Sequence, residues 1–538
     1  MTQSIDANSW QPASVTTRPV SSTPPSAPAS PVNPGTGPLH LEQDSTRMQQ
    51  APGLATGMSL EEPIAALPSA SQAESGQRRG IGSGLYDVDL APGTRQQRFF
   101  GENDVPFSAI VVNSETIQGD ALDPAFIARA AIKANPDIQL VVPTRQPFDG
   151  PSDTRFQVER SRLAERLGVP EANILPVRSD MAAFPQDEFL AGTLNGKPTL
   201  FTPNDRADRT DFWLPDEDGI PDSTHWARNV TRDGAAMLAK ELGVQSAVSD
   251  FISEGGDTQF LTRPDGTQAA VFSSYTVNKV ARTLDLDVSS PGGFLKALDK
   301  TMVGMRAAGI PVDAMAPVGT GKVTYREALD AMAPEDRAAL DPEVRARFEA
   351  LGDLKVPQRS YVYHSDLTVL SPDGKTAFVS EYLAKADPSI ERQLRAAGFE
   401  PKQLPGFQQG FPVKGQADQQ VEGWKQWEGT QGGPTLSYIN TVMGKMPDGR
   451  PVILMPTEAA DPDRLTARDQ QAMAAFRQVQ PDAVIVPVGG RSAVTAGRNT
   501  MGTFEDGTEL GNRNWGIHCM TNVLPFRMQV AGEAGSRP

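Results

Sequence analysis

The sequence is short of the residues that usually cross-link a chain, bind metal or anchor it in a membrane. Among 538 residues there is one cysteine, Cys519, and there are four histidines: His40, His225, His364 and His518. A single cysteine excludes an intrachain disulfide framework and any thiolate zinc cluster. The histidines are too scattered to form a recognisable metal-ligand motif. No window approaches the roughly 18 consecutive apolar residues of a membrane span. The N-terminus lacks a charged stretch followed by an apolar one, so a Sec signal is not expected. A basic face is missing too. Net charge is −16, which argues against a nucleic-acid partner. Acidity suits a cationic ligand, although solubility is its more general consequence. Hydrophobic residues make up 38% and aromatics 7%, low enough to imply that part of the chain does not fold.

That part is expected at residues 1–98. The stretch 11-QPASVTTRPVSSTPPSAPASPVNPGTGPLH-40 offers almost nothing to bury. In composition this leader resembles the N-termini of bacterial type III secreted effectors. Localisation is therefore read as cytoplasmic, or secreted by a Sec-independent route into a host cell. From residue 99 to 538 the pattern becomes that of a folded α/β domain. Apolar runs at 108-SAIVVN-113, 138-IQLVVPTR-145 and 173-NILPVRSD-180 read as strands, separated by helical patterns at 124-PAFIARAAIKA-134 and 156-FQVERSRLAERLG-168. The strands 139-QLVVPTRQ-146, 173-NILPVRSD-180 and 483-AVIVPVGG-490 each run into proline, which suggests a repeated βα module. Helical spacing at 293–309, 325–333 and 343–352 reads as a helical excursion inside the domain. The stretch 317-PVGTGKVT-324 imitates a phosphate loop, but Ala316 stands where the first glycine belongs and Val323 follows the lysine, so it reads as a turn.

Three segments carry chemically useful side chains: 250-DFISEGGDTQFLTR-263, 361-YVYHSDLTVLS-371 and 514-NWGIHCMTNV-523. In a strand, His364 and Asp366 project to one side, presenting an imidazole and a carboxylate to one site. Gly255 and Gly256 let the chain turn, so that Glu254 and Asp257 can face the same cavity. The same strand alternation would put His518 and Cys519 on opposite faces, which makes His364 the better working partner for Cys519.

The ordered set 254-EGGD-257, 364-HSD-366 and 518-HCMTN-522 resembles the guanidine-modifying enzyme superfamily, closest to its protein-arginine and agmatine deiminases. The resemblance covers roughly residues 105–530. It implies the pentein fold, a five-bladed α/β propeller of ββαβ units, here with a helical insertion. It implies hydrolytic deimination of a guanidino group, most simply peptidyl-arginine to peptidyl-citrulline plus ammonia, by Cys519, His364, Asp366 and Asp257. Asp208, Glu254 and Asn522 are expected to help bind the substrate, Asp208 being chosen over Asp205 and Asp211 within an acidic stretch. No cofactor is required. Acidic stretches such as 215-PDEDG-219 offer oxygens to Ca2+, but the EF-hand spacing is absent and solvated loops are the simpler reading. The implied partner is a guanidinium substrate, without nucleic acid or membrane. The alternatives are deimination of a small guanidine such as agmatine or free arginine, and a non-catalytic secreted effector on the same fold. A papain-like hydrolase is disfavoured, because its cysteine precedes its histidine in the chain.

Overall fold

The structure is a computed structural model. It describes residues 97–113, 123–144, 148, 152–179, 185–202, 231–249, 255–359, 365–405, 438–457, 459, 461–489, 500–503, 509–511, 517–518 and 521–525. The expected leader at 1–98 lies outside these, except for Gln97 and Arg98, which already belong to a strand.

The chain enters through Gln97–Phe99 (β1) and Ala109–Val112 (β2). All four residues of β2 are buried, as a strand covered on both faces requires. Helix Pro124–Ala134 (α1) starts where Asp123 accepts the backbone N–H of Ala125 and a proline takes the first turn. It crosses to Gln139–Thr144 (β3), which pairs parallel with β2. Helix Thr154–Leu167 (α2) then leads to Ile174–Arg178 (β4), parallel to β3.

The next sheet holds Leu190–Leu194 (β5) and Lys197–Thr202 (β6) as an antiparallel pair, preceded by Pro185–Glu188 (α3). Helix Thr231–Glu241 (α4) returns to Gln245–Val248 (β7), parallel to β6, while β1 pairs with β5 on the other side. The third sheet repeats the plan. Thr258–Thr262 (β8) is antiparallel to Gln268–Ser273 (β9), and Ser274–Thr283 (α5) and Pro291–Ala307 (α6) cross over to Met315–Val318 (β10), parallel to β9.

The helical excursion follows as Tyr325–Asp330 (α7), Pro334–Ala338 (α8) and Pro342–Leu351 (α9), with α7 and α9 packed on α6 around Tyr325 and Phe348. The phosphate-loop look-alike ends β10 and leads into α7, where Thr324 and Glu327 form a reciprocal capping box. Gly321 is needed there for close approach: a Cβ would stand 1.9 Å from the Val356 carbonyl oxygen.

Val369–Leu370 (β11) and Thr376–Ser380 (β12) form the fourth antiparallel pair. Glu381–Ala386 (α10) and Ser389–Ala396 (α11) lead to Glu400–Leu404 (β13), parallel to β12. The fifth unit is Val442–Lys445 (β14) antiparallel to Pro451–Pro456 (β15), then Ala467–Val479 (α12) and Val484–Val488 (β16), parallel to β15. Thr500–Thr503 (β17) and Glu509–Gly511 (β18) pair with each other. Finally Thr521–Leu524 (β19) runs antiparallel to β2.

Five sheets therefore share one scheme: an antiparallel pair, a helical crossover and a parallel third strand. In the sheet of β2 the antiparallel partner is supplied by β19. The proline-ending strands are β3, β4 and β16, and β10 (315-MAPV-318) is a fourth example. Three of the four lie at sheet ends, where the missing N–H costs least. Among the described residues, no helix is long and apolar enough to cross a membrane.

Candidate active site

Of the residues assigned a role from the sequence, Asp366, Asp257 and Asn522 fall within the described residues, as does His518. Cys519, His364, Glu254 and Asp208 lie outside them.

Ser365 and Asp366 do not continue the strand that the apolar pattern suggests. Ser365–Leu367 forms a 3-10 turn and the strand begins at Val369. Both residues at the head of this turn are bound to the glycine turn before β8: the Ser365 hydroxyl and the Asp366 backbone N–H each donate to the Gly256 carbonyl, both at 3.3 Å. A strand in this position would have pointed those groups elsewhere. The glycine turn is itself tightly held, because a Cβ on Gly255 would lie 2.2 Å from the Gln186 carbonyl oxygen.

The HC segment also begins outside its strand. Ile517 and His518 sit in a turn ahead of β19, fixed by Thr521, whose hydroxyl donates to the Ile517 carbonyl at 3.0 Å and whose N–H donates to the His518 carbonyl at 3.1 Å. His518 therefore lies ahead of the strand and not within its alternation. Its ring is buried between two carboxylates: Nδ1 lies 2.8 Å from Asp366 Oδ2 and Nε2 lies 3.2 Å from Glu102 Oε2. Asn440 grips the same pair, accepting the His518 backbone N–H at 2.8 Å and donating to Asp366 Oδ2 at 3.1 Å.

Electrostatics follow from this packing. Burial favours a neutral His518 ring, but the charge and hydrogen bonds of Glu102 and Asp366 together outweigh it and push the imidazole up to about 10. Glu102 is raised above the ordinary carboxylate range, chiefly by burial. The facing imidazole pulls it back down and Asp366 adds repulsion.

Asp257 belongs to a neighbouring arrangement. Its Oδ2 takes the Lys279 ammonium at 2.5 Å, with both side chains excluded from solvent, and Lys279 also lies 4.6 Å from the centre of the Tyr275 ring. The Thr276 hydroxyl donates to the Asp257 carbonyl at 3.3 Å. Asn522 donates its amide to the Phe189 carbonyl at 2.9 Å and the Pro185 carbonyl at 3.3 Å, tying β19 to the α3 segment. A cavity of about 40 Å³ opens beside the cluster, with Glu102, Gln186, His518 and Asn522 on its polar side and Phe189 and Phe260 on its apolar side. Among the described residues, no group of three or more His, Cys, Asp or Glu is arranged to hold a metal ion.

Sequence reasoning missed Glu102 and Asn440. Neither stands out in a chain with 66 acidic residues and many polar loops; the only signal for each is spatial.

No family model and no curated protein matches this chain. Solved structures do. An agmatine deiminase from C. jejuni is 11% identical over 82% of this chain and 100% of its own, with a TM-score of 0.46. The agmatine deiminase of Enterococcus faecalis is 13% identical over 83% of this chain and 99% of its own, with a TM-score of 0.44. Both of these structures are named as agmatine deiminases.

Proposed function

We propose that the protein is a guanidine deiminase of the pentein type, with its five ββαβ sheets as the blades of the propeller. One observation carries this reading. Three segments far apart in sequence, EGGD, HSD and HC, are in direct contact: Gly256 receives Asp366 and Ser365, and Asp366 receives His518. A guanidinium is planar, cationic and rich in N–H donors, so it calls for carboxylates and a soft nucleophile held together.

In this reading Asp366 binds guanidinium N–H groups, with Glu254 and Asp208 completing the set. Asp257, paired with Lys279, braces the turn that carries Glu254. The Cys519 thiolate attacks the central carbon and forms a C–S bond. His364 protonates the departing nitrogen, and ammonia leaves with cleavage of the C–N bond, giving a covalent thiouronium. His364 then accepts a proton from water as its oxygen adds to the same carbon. Collapse breaks the C–S bond, restoring the thiolate and releasing a ureido product. Peptidyl arginine is the proposed substrate, because its product, citrulline in a chain, needs no recognition of a free amino acid's termini.

A colorimetric ureido assay on arginine peptides, free arginine and agmatine, with and without Ca2+, tests this reading. The wild type should form a ureido product and Cys519→Ala should form none. Activity surviving Cys519→Ala would sink the mechanism, and a product confined to agmatine or free arginine would move the substrate to a small guanidine.

A further inference from the structure

The grip on His518 asks for an explanation that stability alone does not supply. Burying a histidine between two carboxylates is costly unless each charge is compensated, and an apolar filling of the same volume is often as stable. Here the arrangement is redundant: Asp366 Oδ2 receives the His518 ring at 2.8 Å and the Asn440 amide at 3.1 Å, and Asn440 also fixes the His518 backbone. With both donors on one oxygen, the plane of the Asp366 carboxylate is set.

We propose that Glu102 and His518 form a positioning pair for Asp366: Glu102 holds the His518 ring, and the ring holds the Asp366 carboxylate in the orientation and charge state that receive a guanidinium. This rests on the deiminase reading and adds to it a residue, Glu102, from a loop that carries none of the motifs.

Charge counting supports the pairing. If the ring is protonated and both carboxyl groups are ionised, Glu102, His518 and Asp366 carry a net single negative charge, and a guanidinium brings the group to neutrality. If Glu102 lost its charge, the protonated ring and Asp366 would already balance, and an arriving cation would leave a buried positive charge uncompensated. The elevated affinity of the ring for its proton agrees with this. Among the described residues the charged groups facing the ring are Glu102, from the loop after β1, and Asp366, from the 3-10 turn; Gln186 and Asn440 contribute neutral amides, Gln186 donating to Glu102 Oε1 at 3.5 Å. His518 is also the covalent neighbour of Cys519, so its charge bears on the thiol as well.

The test uses the full chain as wild type, Glu102→Gln and Glu102→Asp, the last keeping the charge with a shorter reach. Two quantities are read: the 15N resonances of the His518 ring from pH 6 to 11, assignable because there are four histidines, and kcat and KM for the best guanidine substrate over the same range. Glu102→Gln should lower the His518 titration midpoint by at least one pH unit. It should also raise KM about tenfold below that midpoint while kcat changes less than about threefold, and the KM effect should shrink above it, where a neutral ring leaves Asp366 to balance the cation. Glu102→Asp should recover part of both changes. In an active enzyme, a His518 titration unmoved by Glu102→Gln, or a pH-independent loss of kcat at constant KM, would overturn the positioning pair and leave the deiminase reading standing. A wild type that forms no ureido product from any guanidine would overturn the deiminase reading itself. If Glu102→Gln fails to fold, Glu102→Asp decides: a midpoint and KM identical to wild type, despite the shortened carboxylate, would count against the pair.

Discussion

Lys279 and Asp257 meet at 2.5 Å in a place water does not reach, the lysine 2% and the aspartate 0% exposed. Neither charge would be stable there alone. Lys279→Ala should therefore cost about 3–5 kcal/mol by stranding a buried carboxylate, whereas Asp257→Asn combined with Lys279→Met should cost much less. Urea denaturation of the two variants checks this. Equal losses would mean that the pair is not coupled.

Asp299 gives a pH signature in the helical region. Its side chain is buried, accepts the Asp341 N–H at 2.9 Å and has Lys300 at 3.7 Å. Burial outweighs these contacts and lifts its carboxyl from 3.8 to about 6. Because the folded state holds this proton more tightly than the unfolded one, the group's contribution to stability is greatest below about pH 4. It declines as pH rises to about 6 and is flat above that. Asp299→Asn can still accept the Asp341 N–H. It should raise stability by about 1–3 kcal/mol at pH 8 and little at pH 4. Thermal melts of both proteins at the two values would show the difference.

Gly255→Ala should be poorly tolerated. The new Cβ would stand 2.2 Å from the Gln186 carbonyl oxygen, a backbone atom that cannot simply rotate away. A loss of about 1–3 kcal/mol is expected from overpacking. Gln186 also donates to Glu102, so KM should rise along with the drop in denaturation midpoint.

Cys519 should titrate differently with and without a cation in the site. In the proposed site, carboxylates around the thiol would disfavour a second negative charge, and an arriving guanidinium would reverse this. Iodoacetamide alkylation followed against pH should give a lower apparent pKa in the presence of a non-reactive guanidinium. An unchanged midpoint would count against the proposed contact.

The local elements were readable because their periodicity is local. The helical pattern at 124–134 coincides with α1, and 325–333 and 343–352 hold α7 and α9 of the excursion. The site was readable only as a set of motifs. HSD reads as a strand because Tyr361, Val362 and Tyr363 precede it, yet Ser365 and Asp366 spend their hydrogen-bonding groups on Gly256 instead of on a neighbouring strand. His518 departs from the expected alternation for the same reason: a residue three before β19 obeys the turn held by Thr521. Glu102 and Asn440 could not be found from sequence, since their partners lie far along the chain: 74 and 78 positions from Asn440, and on the last strand's turn for Glu102.

The pairing of β19 with β2 has a temporal side. These two strands join residues separated by roughly 410 positions, the longest strand pairing among the described residues. During synthesis the sheet that begins the domain stays without its antiparallel edge until the last strand emerges. His518 cannot meet Glu102 before then either. Glu102, His518 and Asp366 are thus brought together last, and no intermediate on the ribosome holds this cluster.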